Sequence, residues 1–365
     1  MFLKKKMLSL LTGIAVSFSL LSAPAASAMD VGNLIGLGIG VAQVAQQKQQ
    51  VMNYFKKLNS TPEGQQEILA QLKEKYQVND DSELNQRFEE IMGNLTNAVA
   101  EVDPSIHNLP YAYFINQKSD INAACSMGHV MMVNSGTFRH IVSDDEIAAI
   151  VGHEMGHGQK DHVIRGISSQ IDKTLIAQAA VALTGGSALS GVIGNLALNH
   201  SIVHGNKQHE WEADGLAFEY MIRTGYNPGA CAAVMQKFIE LMGTQKQDIG
   251  SMLLNPSDHP NTEARRDKYV AQLYEFSGNH VTAEKGSVLV NGKKFVTPAP
   301  ANGMSSMERS YFVLGNLAAA YNHGHASSSA HVENGTVMLG PQAILVPAEG
   351  DESAEVLAAR LNSIK

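Results

Sequence analysis

The chain has 365 residues, two cysteines and a formal net charge of −8. That acidity argues against nucleic acid as a partner, because a phosphate backbone repels an anionic surface. Two cysteines are too few for a disulfide framework, so Cys125 and Cys231 stand either as one pair or as two free thiols.

Residues 1–28 carry Lys4-Lys5-Lys6, an apolar core from Met7 to Leu21, and Ala26-Ser27-Ala28 at the end. This is the layout of a cleavable secretory signal peptide. No cysteine follows the apolar core, so the expectation is export to a periplasm, envelope or cell exterior without a lipoprotein anchor. Residues 29–100 read as helical. Val31 to Val44 is a Gly-rich apolar stretch, and a helix runs from Thr61-Pro62-Glu63 through Tyr76. Thr61 is a poor cap match there, whereas proline suits a first helical position. Another helix spans Ser82 to Ala100. Val130 to Val133 is a short β-prone run ended by Asn134-Ser135-Gly136 and feeding straight into the next helix. It is either an edge strand that could hold an extended peptide beside a cleft or an ordinary buried strand.

That next helix opens on Ser143-Asp144-Asp145-Glu146, a capping box, and Ile147, Ile150 and Val151 give it a buried stripe. About two turns in it carries His153-Glu154-Met155-Gly156-His157. Positions i and i+4 lie one above the other, so both imidazoles can share one metal ion while Glu154 reaches a water beside it. The pattern describes zinc hydrolysis of an amide bond. Gly156 and Gly158 lower helix propensity but leave space above the metal. His162 lies roughly 180° around from His153 if the helix continues, so it is rejected as a ligand. Thr174 to Asn199 is uncharged and long enough to cross a bilayer. Gln178, Asn195 and Gly185-Gly186 interrupt it, which favours two packed helices and leaves transient membrane contact open.

A catalytic zinc needs a third protein ligand. In Gln208-His209-Glu210-Trp211-Glu212-Ala213-Asp214, Glu210 and Asp214 share a helix face and Glu212 points away. Glu210 is the expected ligand and Asp214 the acceptor that fixes a ligand histidine's other ring nitrogen. The bland alternative is a solvated acidic helix start. Residues 278–365 read as a separate module with an internal echo. Ser287 to Val296 is a hairpin around Asn291-Gly292, followed by a helix from Ser305 to Tyr321. Asn334-Gly335, Thr336 to Leu339, Ala343 to Val346 and a helix from Ser353 to Leu361 repeat the order. Ser305-Ser306-Met307-Glu308 is a second capping box. His323 and His325 flank Gly324 in what reads as a loop.

H-E-M-G-H followed by E-W-E-A-D resembles the gluzincin zinc metallopeptidases that include HtpX, the CAAX prenyl endopeptidase, the mitochondrial OMA peptidase and BepA. Asn122-Ala123 with Gly128-His129 resembles the family's N-A-x-x-x-x-G-G strand, with His129 in place of the second glycine. His259-Pro260 with Arg265 resembles its H-P-x-x-x-x-R segment. The resemblance covers about residues 100–275. It implies an α+β fold: a mainly helical zincin-type catalytic domain with a small sheet beside the active-site helix. The expected organisation is signal peptide 1–28, helical region 29–100, metallopeptidase domain 101–277 and C-terminal module 278–365. One zinc per chain would sit on His153, His157 and Glu210, with Glu154 as general base and His259 or Arg265 stabilising the oxyanion. In BepA-like relatives the histidine matching His259 can sit on the zinc and hold the enzyme latent. Protein or peptide substrates follow, with envelope quality control as the expected setting. The alternative is a chaperone-like assembly factor with restrained proteolysis that binds envelope partners.

Overall fold

A computed structural model describes residues 41–170, 207–243 and 261–365. The signal segment, the 174–199 span and His259 lie outside the described residues. The fold is mainly helical α+β. Helices α1 (Val41–Ser60), α2 (Pro62–Lys75) and α3 (Ser82–Val102) precede a small sheet. Pro62 takes the first position of α2, and Thr61 does cap it, accepting from the Gly64 N–H at 3.1 Å. A capping box is not needed for this, since one hydroxyl satisfies one free donor.

The sheet holds β1 (Ala112–Asn116), β2 (Ala123–Ser126) and β3 (Val130–Asn134) in the order β1-β3-β2. β1 runs parallel to β3 and β2 antiparallel to it. β3 is therefore central and buried, and β1 and β2 are the edge strands. The alternation along β3 explains its unbroken apolar run. Val130 and Met132 join a core with α1 and α2, while Met131 and Val133 join the larger core on the opposite face.

The strand does not lead straight into the active-site helix. A short α4 (Ser135–His140) intervenes before α5 (Asp144–Gln159). Ser143 stands at the N-cap of α5 but makes no side-chain cap bond, and Glu146 turns inward to Lys237 at 3.5 Å. The expected capping box is not formed: the Glu146 carboxylate is buried facing Lys237 and does not reach back to the helix end. α6 (His162–Gln170) follows a break at Lys160-Asp161, where Asp161 has φ +52°.

Helix α7 (Lys207–Met221) lies against α5 at very close range. A Cβ on Gly156 would stand 3.0 Å from the Ala213 backbone, and one on Gly158 would meet the Tyr111 hydroxyl at 2.6 Å and Cys125 Sγ at 2.9 Å. These glycines admit neighbouring elements rather than opening space above a metal. Helices α8 (Ala230–Gly243) and α9 (Thr262–Phe276) complete the surround.

After α9 come two copies of a three-stranded meander and a helix. The first is β4 (Val281–Glu284), β5 (Ser287–Val290), β6 (Lys293–Val296) and α10 (Ser306–Asn322). The second is β7 (Ala330–Glu333), β8 (Thr336–Leu339), β9 (Gln342–Leu345) and α11 (Ala354–Ile364). Register and bulge recur together: Val281 faces Val290 and Ala330 faces Leu339, with the slip at Val288/Leu289 and again at Val337/Met338. Each unit thus has one strand more than the expected hairpin. The two Asn-Gly pairs also occupy non-equivalent turns, Asn291-Gly292 joining β5 to β6 and Asn334-Gly335 joining β7 to β8. All four residues have positive φ, as a two-residue turn of this twist requires. The Ser305–Glu308 capping box of α10 is fully formed. One continuous core runs from Phe88 to Leu361.

Candidate metal centre

Helix α5 delivers three side chains from two adjacent turns. His153 and His157 point to the same side, with Nε2 atoms 3.1 Å apart. Across the close α5–α7 contact, Glu210 Oε1 lies 3.2 Å from His157 Nε2, and Oε2 lies 3.6 Å from His153 Nε2. His157 and Glu210 are fully buried and His153 nearly so. Three donors on a tetrahedral ion with bonds of ~2.0 Å would stand about 3.3 Å apart. The observed spacings fit, and two imidazoles with one carboxylate form a zinc-type donor set.

The ring of His153 is fixed from behind. Its Nδ1 sits 2.9 Å from Asp214 Oδ1, so Nδ1 donates to that carboxylate and Nε2 is directed at Glu210. Asp214, expected in this place, holds its own network. Oδ1 also accepts from Tyr269 Oη at 2.9 Å and from an Arg265 terminal nitrogen at 2.6 Å, and Oδ2 accepts from Arg265 Nε at 2.8 Å. Burial would raise the Asp214 carboxyl, but the Arg265 guanidinium and the His153 bond hold it well below the usual carboxylate range. Burial and Arg265 would lower His153; its bonds to Asp214 and Glu210 outweigh them and lift it to about 9. The pocket therefore favours positive charge at this ring, the electrostatic requirement of a cation site.

Glu154 lies on the β2 side of α5. Its Oε2 accepts from the Cys125 N–H at 3.0 Å, while Oε1 is buried without a hydrogen-bond partner. The edge strand thus presents the general-base candidate. Cys125 and Cys231 are both buried free thiols. At the turn before β3, Gly128 and His129 both take positive φ, +67° and +55°. A second glycine would suit this backbone. His129 adopts it with its ring stacked on Tyr111 at 4.7 Å and Nδ1 on Leu109 O at 2.8 Å.

Arg265 pairs with Asp214 through two nitrogens, one of which also lies 3.3 Å from His153 Nδ1, and its third is 3.7 Å from Glu210 Oε2. That places it behind the donor trio as a group that fixes Asp214 and His153. Tyr269 was missed from the sequence, although it follows Arg265 by four positions on α9 and so shares its face. His162 stands outside the trio, but for a different reason from the one expected. The helix breaks before it, and the buried His162 ring swings back so that Nδ1 lies 2.8 Å from His157 Nδ1. Its Nε2 reaches Glu212 Oε2 at 3.0 Å, and the ring stacks on His209 at 4.1 Å. Burial first, then neighbouring positive charge, outweighs Glu212 and takes His162 down to about 4, so it is neutral.

The sequence model described as peptidase family M48 matches residues 81–271, more than half the chain. Metalloprotease LoiP of Escherichia coli (strain K12) is 26% identical over 183 residues, covering 50% of this chain and 69% of that protein. The β-barrel assembly-enhancing protease of the same strain is 23% identical over 142 residues, 36% of this chain and 28% of its own length. Mitochondrial metalloendopeptidase OMA1 of Arabidopsis thaliana is 26% identical over 152 residues, 42% of this chain and 29% of its own. The chain thus spans about two-thirds of the first relative and under a third of the other two. Its buried His–His–Glu cluster lies inside the matched segment, and the chain belongs to peptidase family M48.

Proposed function

We propose that the protein is an exported zinc endopeptidase, with His153, His157 and Glu210 holding one zinc ion and Glu154 as general base. The observation that carries this is the convergence of two imidazole nitrogens and a carboxylate at 3.1 to 3.6 Å. A zinc ion held there supplies a Lewis acid and brings the pKa of water towards neutrality. Glu154, with its free Oε1 beside the edge strand, takes the proton of the attacking water and returns it to the leaving amine. Arg265 and Tyr269 keep Asp214 ionised and in place, which orients His153. β2 is an edge strand beside Glu154, which takes its Cys125 N–H, and an extended peptide main chain would be added along this edge, so the substrate class is a protein or peptide in extended form. The division at residues 28, 100 and 277 and the setting in envelope quality control belong to this proposal. Export rests on residues 1–28, and no helix among the described residues is long and apolar enough to cross a membrane. His259 as an oxyanion donor or a latch is likewise proposed from its motif alone.

The test compares the wild-type chain with Glu154→Gln on a denatured, fluorescently labelled protein, with and without a zinc chelator. Cleavage is expected from the wild type alone and only without chelator. Equal chelator-sensitive cleavage by both would refute the role of Glu154, and full zinc affinity in Glu210→Ala would refute the third ligand.

A further inference from the structure

The His–His contact behind the metal centre has chemical consequences that the donor trio alone does not require. His153 has a carboxylate on its Nδ1, whereas His157 has a second imidazole, His162, at 2.8 Å. Two ring nitrogens at that distance share one proton, so one must donate and the other accept. Two arrangements are available. If His162 Nδ1 carries the proton, His157 accepts on Nδ1, and the neutral His157 ring keeps its proton on Nε2. That nitrogen, 3.2 Å from Glu210 Oε1, is then closed to a metal. If His157 Nδ1 carries the proton, Nε2 presents a lone pair to the metal position, and the neutral His162 carries its own proton on Nε2.

The choice is made one residue further out. His162 Nε2 faces Glu212 Oε2 at 3.0 Å, and the same oxygen accepts from Arg165 Nη1 at 3.0 Å. A carboxylate held by a guanidinium is an acceptor only, so it demands the proton on His162 Nε2. That leaves a lone pair on His162 Nδ1 to accept from His157 Nδ1; Glu210 Oε1, 3.2 Å from His157 Nε2, is the opposing acceptor, and with a metal ion on Nε2 the Nδ1–H form is the one that fits both sides. The parallel stack of His162 on His209, at 4.1 Å and 4°, keeps the ring from turning out of line.

We propose that Glu212 and His162 form a tautomer lock that holds His157 in its metal-ligating form through the contact chain Glu212–His162–His157. Both are positioning residues, and the assignment rests on the reading of His153, His157 and Glu210 as zinc ligands. Glu212 stands only two residues from Glu210 on α7, so one helix supplies both a ligand and the group that prepares another ligand.

The experiment measures zinc affinity of the full chain by chelator competition and, on the zinc-free folded chain, the ring ¹⁵N resonances that report which nitrogen of His157 is protonated. Glu212→Leu and His162→Phe should each weaken zinc binding about 10- to 100-fold. His162→Phe keeps the stack and loses the acceptor; His162→Gln, whose carbonyl can accept from His157, should recover most of that loss. In Glu212→Leu the His157 ring should shift from Nδ1–H towards Nε2–H, where Glu210 accepts it. Glu212 is one-third exposed, so its variant decides the matter even if His162→Phe fails to fold. Wild-type affinity in Glu212→Leu would overturn the lock, as would weaker binding with the His157 ring unchanged. Should His157→Ala bind zinc like the wild type, the metal centre itself would be wrong. If His157→Ala loses zinc and Glu212→Leu does not, the lock alone falls.

Discussion

Glu146 provides a measurable test of how the C-terminal units hold the active-site helix. It sits in the first turn of α5, fully buried, with neither carboxylate oxygen hydrogen-bonded. Its compensation is Lys237 of α8 at 3.5 Å, which also serves Glu308 of α10 at 3.3 Å. One ammonium thus bridges the two helices. Burial outweighs Lys237 and lifts the Glu146 carboxyl from 4.5 to about 7. The sign follows from linkage. A carboxyl raised in the folded state binds more protons there than in the unfolded chain between those two values. Stability therefore falls as pH rises from about 4.5 to about 7. The upward shift corresponds to about 3 kcal/mol above pH 7, as an upper limit. Glu146→Gln removes the titration and keeps the shape, while Glu308 still pairs Lys237. Its stability relative to the wild type should rise by about 2 kcal/mol between pH 5 and pH 8. Urea unfolding of both chains at the two pH values reads this directly, and packing changes common to both pH values cancel. A difference that does not change with pH would refute the reasoning.

Arg265→Leu leaves Asp214 buried without its guanidinium and should destabilise the metal-free protein by about 3–5 kcal/mol, read as a lower thermal midpoint. Asp214 itself, held low in the folded state, contributes stability that is present above the ordinary carboxylate value near 3.8 and lost as pH falls below it. Asp214→Asn should therefore flatten the acid limb of the wild-type stability profile. Gly156→Ala sets a helix-propensity gain of about 1 kcal/mol against contacts of 3.0 Å to the Ala213 backbone. We expect the contact to win, with a lower midpoint and weaker zinc binding; a more stable variant with full affinity would show that α7 can yield.

The metal trio was legible because its parts obey local rules. Two histidines four apart share a helix face, and Glu210 with Asp214 shares another. Those spacings point to the grouping of the three donors and to a contact of Asp214 with one of the two histidines, which is His153. What stayed hidden depends on where helices stop and meet. Nothing periodic announces the Lys160-Asp161 break, so a straight-helix extrapolation sent His162 to the far side. The actual turn brought it back onto His157. The capping motif at Ser143 failed for a similar reason: tertiary packing buries the Glu146 carboxylate facing a lysine some ninety positions away, out of reach of the helix end. The identical pattern at Ser305 succeeded, since there Glu308 Oε2 serves the Ser305 N–H and Lys237 together. The missing strand in each C-terminal unit has a plainer cause. The outer strands VTAE and AHVE are half polar and bury one residue each, so they lack the apolar run that marks SVLV and TVML.

The charge balance of the centre explains why so much structure lies behind three candidate donors. Glu154, Glu210 and Asp214 are all buried carboxylates, and Arg265 is the buried guanidinium that faces two of them. A site of that composition holds an excess of negative charge in a poorly polarisable interior, where a divalent cation is the natural complement. Such a pocket also resists collapse of the trio onto itself only if each ligand is held from outside. His153 is held by Asp214, Asp214 by Arg265 and Tyr269, and His157 by His162. Glu154, by contrast, keeps one oxygen unengaged next to the edge strand. Within the centre, the groups with full hydrogen-bond partners are those that the proposed mechanism keeps still, and the carboxylate oxygen left without one belongs to Glu154, the proposed proton carrier.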